Sequence, residues 1–151
     1  MNSKSEKLIV IMSIEVLGRP KEHLIETLEE LSLKVNSEKG VKMLNKKINE
    51  PILVPDQKDL FTAFVELEFE IEDPMKLAIL TFKYMPSHIE VLEPENFIFK
   101  NANFNELLNE LTGRLHRYEE LVRVLQMQMQ KQGNPVSKKE KDPEKTSKEK
   151  K

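Results

Sequence analysis

The sequence predicts an α+β protein, in which an antiparallel four-stranded sheet carries two helices on one face and a long helix and a tail follow. Three patterns carry this prediction. Residues 60–71 alternate apolar and polar side chains, which is typical of a strand with one buried face. Apolar residues recur at helical spacing within residues 20–36. Between residues 104 and 129 they recur at steps of four and three, the spacing of a coiled coil.

The chain opens with a predicted strand and helix. Residues 7–17 are rich in Ile, Val and Leu and are closed by Gly18, as in a buried central strand. Pro20 suits the first position of a helix, because its missing N–H costs nothing there. Apolar residues at helical spacing run from Leu24 to Val35, and Gly40 after them favours the end of a helix. The first helix is therefore predicted over residues 20–36.

The middle of the chain reads as two strands and a second helix. Residues 41–48 form the second strand, and residues 49–59, with two prolines, form a loop. The apolar residues of this loop either pack back on the sheet edge or offer a short strand to a partner. Residues 60–71 form the third strand, with Phe61 on its buried face. Asp73-Pro74 then begins a helix that reaches Met85 and has little polar face, so we expect it to be well buried.

A fourth strand and the long helix complete the prediction. Residues 88–92 form the strand, and residues 97–99 are a candidate extension of it. Asn103 and Glu106 have the spacing of a capping box, which places the start of the long helix at residue 103.

Two split βαβ units in this order are typical of a ferredoxin-like βαββαβ sheet, and the resemblance to that fold covers residues 7–99. In this arrangement we expect the first and third strands to be central and parallel. The fold hosts many functions, so it assigns none. The predicted organisation is a flexible N-terminus at residues 1–6, a ferredoxin-like α+β domain at 7–102, a long amphipathic helix at 103–132 and a disordered Lys-rich tail at 133–151.

Side-chain parity predicts an open sheet face with two different ends. One end is expected to be apolar, with Ile9, Ile11, Phe64 and Leu92. The other is expected to be acidic, with Glu15, Glu68, Glu70 and Glu90. Together with His88 these carboxylates are a candidate cation site, but pairing of the glutamates with Lys42 and Lys46 on the second strand is the more ordinary interpretation.

The long helix is the main candidate interface. Its first turns, residues 104–111, are expected to fold over the apolar end of the sheet or to dock on a partner that does so. The alternative is a helix packed wholly on its own sheet. We predict self-association, with a homodimer or another protein as the partner, through a helix stripe of Phe104, Leu108, Leu111, Leu115, Tyr118, Val122, Leu125 and Met129.

Charge argues against a nucleic-acid-binding sheet. The net charge is −2, and the last 19 residues carry seven Lys against four acidic residues, so the first 132 residues sum to −5. Thr62 stands where base stacking requires an aromatic residue, and glutamates follow it. Arg114, Arg117 and Arg123 of the long helix either form ordinary helix ion pairs or contact an acidic partner.

No motif for chemistry is present in the sequence. The three histidines lie on separate predicted elements, no G-x-S-x-G elbow occurs, and the four glycines cannot form a phosphate-binding loop. We therefore expect no enzyme, no cofactor, no metal site and no small-molecule ligand. The absence of cysteine fits a reducing compartment, and no run reaches the ~18 apolar residues that cross a bilayer. We expect a cytoplasmic protein without a membrane partner.

These observations favour a non-enzymatic interaction or assembly module that self-associates through its C-terminal helix and its open sheet face. Two other functions stay open. One is a small-molecule-sensing regulatory domain with its ligand at a dimer interface, which rests on analogy of fold alone. The other is a ribosome- or RNA-associated factor that uses the Arg face and the Lys-rich tail.

Overall fold

The computed structural model describes residues 7–133, which form five strands and three helices. The predictions for residues 1–6 and for the tail beyond Gly133 lie outside the described residues. The chain divides into two compact units, the first ending at Leu107 and the second beginning at Leu108. The elements are β1 (Leu8–Gly18), α1 (Lys21–Asn36), β2 (Val41–Ile48), β3 (Ile52–Leu53), β4 (Phe61–Ile71), α2 (Pro74–Tyr84), β5 (His88–Glu93) and α3 (Asn101–Gln132).

The strands form one antiparallel sheet in the order β2-β4-β1-β5, and β3 also pairs with β4. β1 and β4 are central, as predicted, but they run antiparallel, so the predicted parallel pairing was wrong. The connections explain this difference. A helical crossover makes β1 and β2 parallel to each other, and β4 returns between them in the opposite direction.

The segment between β2 and β4 contributes a fifth strand that the sequence placed in a loop. Ile52 lies opposite Thr62, and Leu53 lies opposite Phe61. The segment therefore pairs with β4 of its own sheet through its backbone, while the side chains of Ile52 and Leu53 are 62% and 52% exposed. Contact of these apolar side chains with a partner stays a prediction.

The core lies between one face of the sheet and the two helices α1 and α2. It confirms that the odd-numbered apolar residues of β4 face the helices, since successive side chains of a strand point to opposite faces. The fourteen buried apolar residues are Leu8, Val10, Met12 and Ile14 of β1, Leu24, Leu28 and Val35 of α1, Ala63, Val65, Leu67, Phe69 and Ile71 of β4, and Leu77 and Leu80 of α2.

Both ends of α1 follow from local sequence. Pro20 precedes the first helical residue instead of occupying it, and its carbonyl accepts a hydrogen bond from the N–H of His23 (3.1 Å). After α1 the chain turns into β2 through Gly40, whose φ of 87° lies in the left-handed region. A residue with a Cβ would be strained in that conformation.

α2 begins as predicted, since the Asp73 carboxylate accepts a hydrogen bond from the N–H of Met75 (2.9 Å). The expectation of a well-buried helix was wrong, because only Leu77 and Leu80 are buried and Ile79 is 42% exposed. A helix on the outer layer of a sheet buries one stripe, and apolar residues elsewhere on α2 remain at the surface.

Glu38, in the turn between α1 and β2, binds the end of α2 through its side chain. The carboxylate of Glu38 accepts hydrogen bonds from the Lys83 ammonium and from the Tyr84 hydroxyl (2.7 Å). These two hydrogen bonds lower the pKa of Glu38. Burial, reinforced by the hydrogen bond to Glu38, raises the pKa of Tyr84 to about 12.

α3 begins at Asn101, two residues before the predicted capping box, so the predicted start was wrong. Its first turn is closed by a hydrogen bond from the N–H of Phe104 to the carbonyl of Lys100 (3.0 Å). The helix continues without interruption through Gly113 to Gln132. None of the helices described here has a segment of the length and apolarity required to cross a membrane.

We predict that Phe69→Ala lowers the free energy of unfolding by about 3–5 kcal/mol, because the ring is fully buried and its loss leaves a cavity. The matched control is Phe64→Ala on the other face of β4, where the ring is 38% exposed, and it should cost less than about 1.5 kcal/mol. Urea unfolding of both variants measures the difference. Equal losses would contradict the assignment of the two faces.

We predict that Glu38→Gln lowers the pKa of Tyr84 below about 12, because the charged acceptor is lost. It should stay above 10.0, since burial is the largest cause of the shift. The folded state holds the phenolic proton of Tyr84 more tightly than the unfolded state does. The stabilisation of the fold that results is present below pH 10 and is lost as the pH rises towards 12.

Phenolate absorbance against pH, recorded in a Tyr118→Phe background, reports Tyr84 as the remaining tyrosine. Glu22→Gln at the opposite end of α1 is the control. An unchanged titration in Glu38→Gln would show that the carboxylate has no influence on the phenol.

Candidate functional site

The sheet face opposite the helices carries alternate residues from each strand. We call it the acidic face, because glutamates dominate it. Its members from the two central strands are Ile9, Ile11, Ser13, Glu15, Leu17, Thr62, Phe64, Glu66, Glu68 and Glu70, and its members from the two outer strands are Lys42, Asn45, Lys47, His88, Glu90 and Glu93.

The acidic face is not divided into the apolar and acidic ends that the sequence predicted. Ile9 lies opposite Glu70, while Phe64 lies opposite Glu15, six residues further along β1. Because a strand rises about 3.4 Å per residue, this offset of six residues along β1 separates Phe64 from Ile9 by roughly 20 Å. The predicted grouping was wrong because it assumed parallel central strands, whereas antiparallel register interleaves the apolar and acidic residues.

A bulge in β5 changes the edge of this face. Glu90 lies opposite Ile11, as the predicted parity requires. The register then shifts, so that Glu93 lies opposite Ile9 and Leu92 has no directly opposed partner on β1. Leu92 was predicted beside Ile9, and an acidic residue takes that place.

A second bulge, in β2, changes the lysines that face the glutamates. Lys42 lies opposite Glu70, as predicted. The register shifts between Met43 and Asn45, so Lys47 replaces Lys46 opposite a glutamate of β4. Lys46 lies on the helix side instead, where its ammonium pairs with Glu29 of α1. The prediction for Lys46 was therefore wrong, because a single inserted residue reverses side-chain parity.

Charge on the acidic face is only partly compensated. Lys7 contacts Glu70 (2.6 Å between Nζ and Oε1). The hydrogen bond between them raises the pKa of Lys7 and lowers the pKa of Glu70. Glu15 accepts a hydrogen bond from the Thr62 hydroxyl (2.7 Å). Six glutamates share this face with three lysines, so its balance is negative.

The register also separates the residues of the candidate cation site. Glu15 and Glu70 lie near opposite ends of the β1–β4 pairing. The imidazole of His88 lies 3.6 Å from the carboxylate of Glu90. Within residues 7–133, no group of three His, Asp or Glu side chains converges in a way that could hold a metal ion.

α3 presents its predicted apolar residues at its surface. We call them the α3 stripe: Phe104, Leu108, Leu111, Leu115, Tyr118, Val122, Leu125 and Met129. Leu111 is half-buried, and the other seven are between 44% and 70% exposed. No residue of this fully described helix is buried. An apolar stripe along four heptads with this exposure is typical of a helix that pairs with another helix.

The arginines of α3 form the predicted ion pairs within the helix. Arg114 contacts Glu110 (2.7 Å), and Arg123 contacts Glu119 (2.9 Å), both at a spacing of four residues. These contacts confirm the predicted ion pairs, and the contact of Arg114 and Arg123 with an acidic partner stays a prediction. The contact of Arg117 with an acidic partner stays a prediction.

A second apolar surface lies beside α2 in the first unit. Leu107, in the first turns of α3, lines a groove with Leu77 of α2 and Ile89 of β5. Leu77 belongs to the core, and Ile89 packs against it, so this turn lies on the helix side of the sheet. The expectation that this turn folds over the open face of its own chain was therefore wrong, and its docking on a partner stays a prediction.

The segment between β5 and α3 completes this groove, and sequence analysis missed its importance. Phe97 and Phe99 line the groove, their rings in edge-to-face contact at 6.1 Å, and Phe99 makes the same contact with Phe104. Ile98 between them is 96% exposed. In the sequence, this segment is visible only as a run of three apolar residues outside any periodic element. The run is a candidate strand extension by sequence, whereas in the structure the segment is irregular.

Comparison with protein families matches the chain to one family. The model of the MJ0538 family matches residues 9–148. The match covers the sheet and the whole of α3 together. Comparisons with curated proteins and with solved structures gave no match.

We predict that Lys7→Met raises the pKa of Glu70 towards its ordinary value, because the hydrogen bond that favours the carboxylate is lost. The stability linked to the lowered pKa is present above pH 4.5 and is lost as the pH falls further. Carbon NMR of the Glu70 carboxyl group measures its titration.

The matched control is Lys42→Met. Lys42 also lowers the pKa of Glu70, but it is the smallest of the causes, so the shift should be smaller. A larger shift in Lys42→Met than in Lys7→Met would contradict the contact between Lys7 and Glu70.

Proposed function

We propose that this chain, which belongs to the MJ0538 family, is a non-enzymatic assembly module that forms a homodimer through the α3 stripe. The observation that carries the proposal is the exposure of the stripe along a helix of 32 residues. Such a helix is about 48 Å long. Pairing with a second helix would remove one continuous apolar surface from water, which is the main favourable term in protein association.

The spacing of the stripe supports a coiled coil. Steps of four and three place Leu108, Leu115, Val122 and Met129 at heptad position a, and Phe104, Leu111, Tyr118 and Leu125 at position d. Side chains at these positions insert between those of a facing helix. Gly113 falls at position f, on the outer side of the helix, where its flexibility does not interrupt the stripe.

Charges beside the stripe support a second copy of this chain as the partner. Arg114 occupies position g and Glu119 position e. In a parallel pair of helices, position g of one helix faces position e of the next heptad on the other, five residues on. Arg114 of each copy, which contacts Glu110 in its own helix, would then also face Glu119 of the other copy, so this pair of charges favours a second copy as the partner.

The acidic face is not part of this proposed interface, in contrast to the expectation from the sequence. Two copies placed face to face would oppose six glutamates with six more. Like charges brought together on desolvated surfaces disfavour association. We therefore assign self-association to α3 and leave the acidic face in solvent, as is common for one side of an antiparallel sheet.

We further propose that the first unit is a ferredoxin-like domain and that the module acts in the cytoplasm. The order β2-β4-β1-β5 of the four long strands, with every neighbouring pair antiparallel, supports the ferredoxin-like arrangement. The absence of cysteine from the sequence supports a reducing compartment.

We predict that the full chain has twice the mass of its 17.7 kDa protomer in solution and that Leu125→Asp raises the dissociation constant at least about a hundredfold. A carboxylate at a heptad d position would be buried without a partner. Light scattering after size exclusion measures the mass, and sedimentation equilibrium measures the constant.

The matched control is Met127→Asp, two residues away at the outward position f. The two side chains have similar exposure, 56% for Leu125 and 61% for Met127. Met127→Asp should remain dimeric. A monomeric full chain, or equal weakening by both variants, would overturn the proposal.

A further inference from the structure

The groove beside α2 has a volume of about 330 Å³ and an apolar lining. Its lining comes from β1, α2, β5, the segment after β5 and the first turns of α3, all within the first unit. Ala78 lines it from α2, and Phe97 and Phe99 line it from the segment after β5. A groove of this size has room for one or two aliphatic side chains.

The polar groups of the groove do not suit a polar ligand. Two lining residues have polar side chains, Thr81 and Glu90. The Thr81 hydroxyl already donates a hydrogen bond to the carbonyl of Leu77 (2.9 Å). Glu90 is exposed and lies beside His88. A polar molecule would lose its hydrogen bonds to water without replacement, whereas an apolar side chain would lose none.

Ile98 is an apolar side chain that its own chain leaves in solvent. It is 96% exposed, more than any other large hydrophobic residue among those described. Its neighbours Phe97 and Phe99 both line the groove. Ile98 therefore points away from the groove that its neighbours form, and it is not buried there by its own chain.

We infer that in the dimer Ile98 of each copy occupies the groove of the other copy. A protruding side chain and a receiving groove on one patch make a surface that is complementary to itself, as the interface of a twofold dimer requires. This inference rests on the proposed dimer. It adds a second contact, made by the first unit, to the helix pairing.

Continuity with the α3 stripe supports the choice of a second copy as the occupant. Phe104 is the first residue of the stripe, and its ring packs edge to face on Phe99, which in turn packs on Phe97. Leu107, three residues on, lines the groove itself. The apolar surface is therefore continuous from the groove to the start of the proposed helix interface.

The test compares Ile98→Asp with Ala78→Glu in the full chain, using sedimentation equilibrium. Ile98→Asp removes the inserted side chain, and Ala78→Glu places a carboxylate in the groove. Each should raise the dissociation constant of the dimer at least about tenfold, since apolar anchors in pockets dominate association energies. Leu33→Asp on α1, where the side chain is 66% exposed, is the matched control and should leave the constant unchanged.

Mixing Ala78→Glu with a third variant, Ile98→Ala, separates reciprocal insertion from other effects, because neither contact of the mixed dimer then opposes two carboxylates. In the mixed dimer, Ile98 of the Ala78→Glu copy meets the intact groove of the Ile98→Ala copy, so one of the two contacts is restored. The mixture should therefore dimerise more tightly than either variant alone. Because Ile98 is exposed in the single chain, Ile98→Asp should also unfold at the same temperature as the unchanged chain when both are monomeric.

Four results would overturn the inference. A dissociation constant of Ile98→Asp within twofold of that of the unchanged chain would show that Ile98 is not inserted. The proposed helix pairing would still stand in that case if Leu125→Asp is monomeric. If each variant alone dimerises more weakly than the unchanged chain and the mixture dimerises no more tightly than either variant, reciprocal insertion would be excluded. Binding of an apolar dye to the unchanged dimer, lost in Ala78→Glu, would show that the groove stays open to a small apolar molecule. A monomeric full chain would overturn this inference and the proposed function together.

Discussion

Eleven consecutive residue pairs join β1 to β4, and the rest of the first unit depends on this pairing. The two strands supply nine of the fourteen buried apolar residues. Their alternate side chains form the floor on which α1 and α2 pack, and the intervening side chains form the acidic face. A shift of one residue in this register would exchange the two faces and bury glutamates in the core, so the register is strongly determined.

The same pairing disperses the charges of the acidic face. Antiparallel register sets Glu70 beside Ile9 and Glu15 beside Phe64, so carboxylates are spread along the sheet. Lys7 and Lys42 lie near one end of the face, around Glu70. A face of this composition is well solvated, and it suits neither a converging metal site nor face-to-face contact between two copies.

Apolar surface remains in two places that the core does not use. One is the α3 stripe, and the other is the groove beside α2 with the exposed Ile98 next to it. Exposed apolar residues scattered singly need no explanation, but connected ones mark interaction surfaces. Phe99 and Phe104 connect the two places, so the proposed dimer would involve both of them.

Local patterns in the sequence determined most of the elements, the buried face of β4 and the α3 stripe. These features depend on periods of two and about 3.6 residues, which are visible within ten to thirty residues of chain. The limits of β2 and the Asp73 cap of α2 were predictable for the same reason. The ion pairs of Arg114 and Arg123 follow from a fixed spacing along one helix.

Only the tertiary structure decided the register of β4 beside β1, the bulges that move Leu92 and Lys46, and the groove. Register depends on which distant segments meet, and a bulge reverses parity without a signal in composition. The groove combines Leu77, Ile89, Phe97 and Leu107 from four separate parts of the chain. No local period links such residues, because what brings them together is the packing of α2 and β5 on the core that β1 and β4 create.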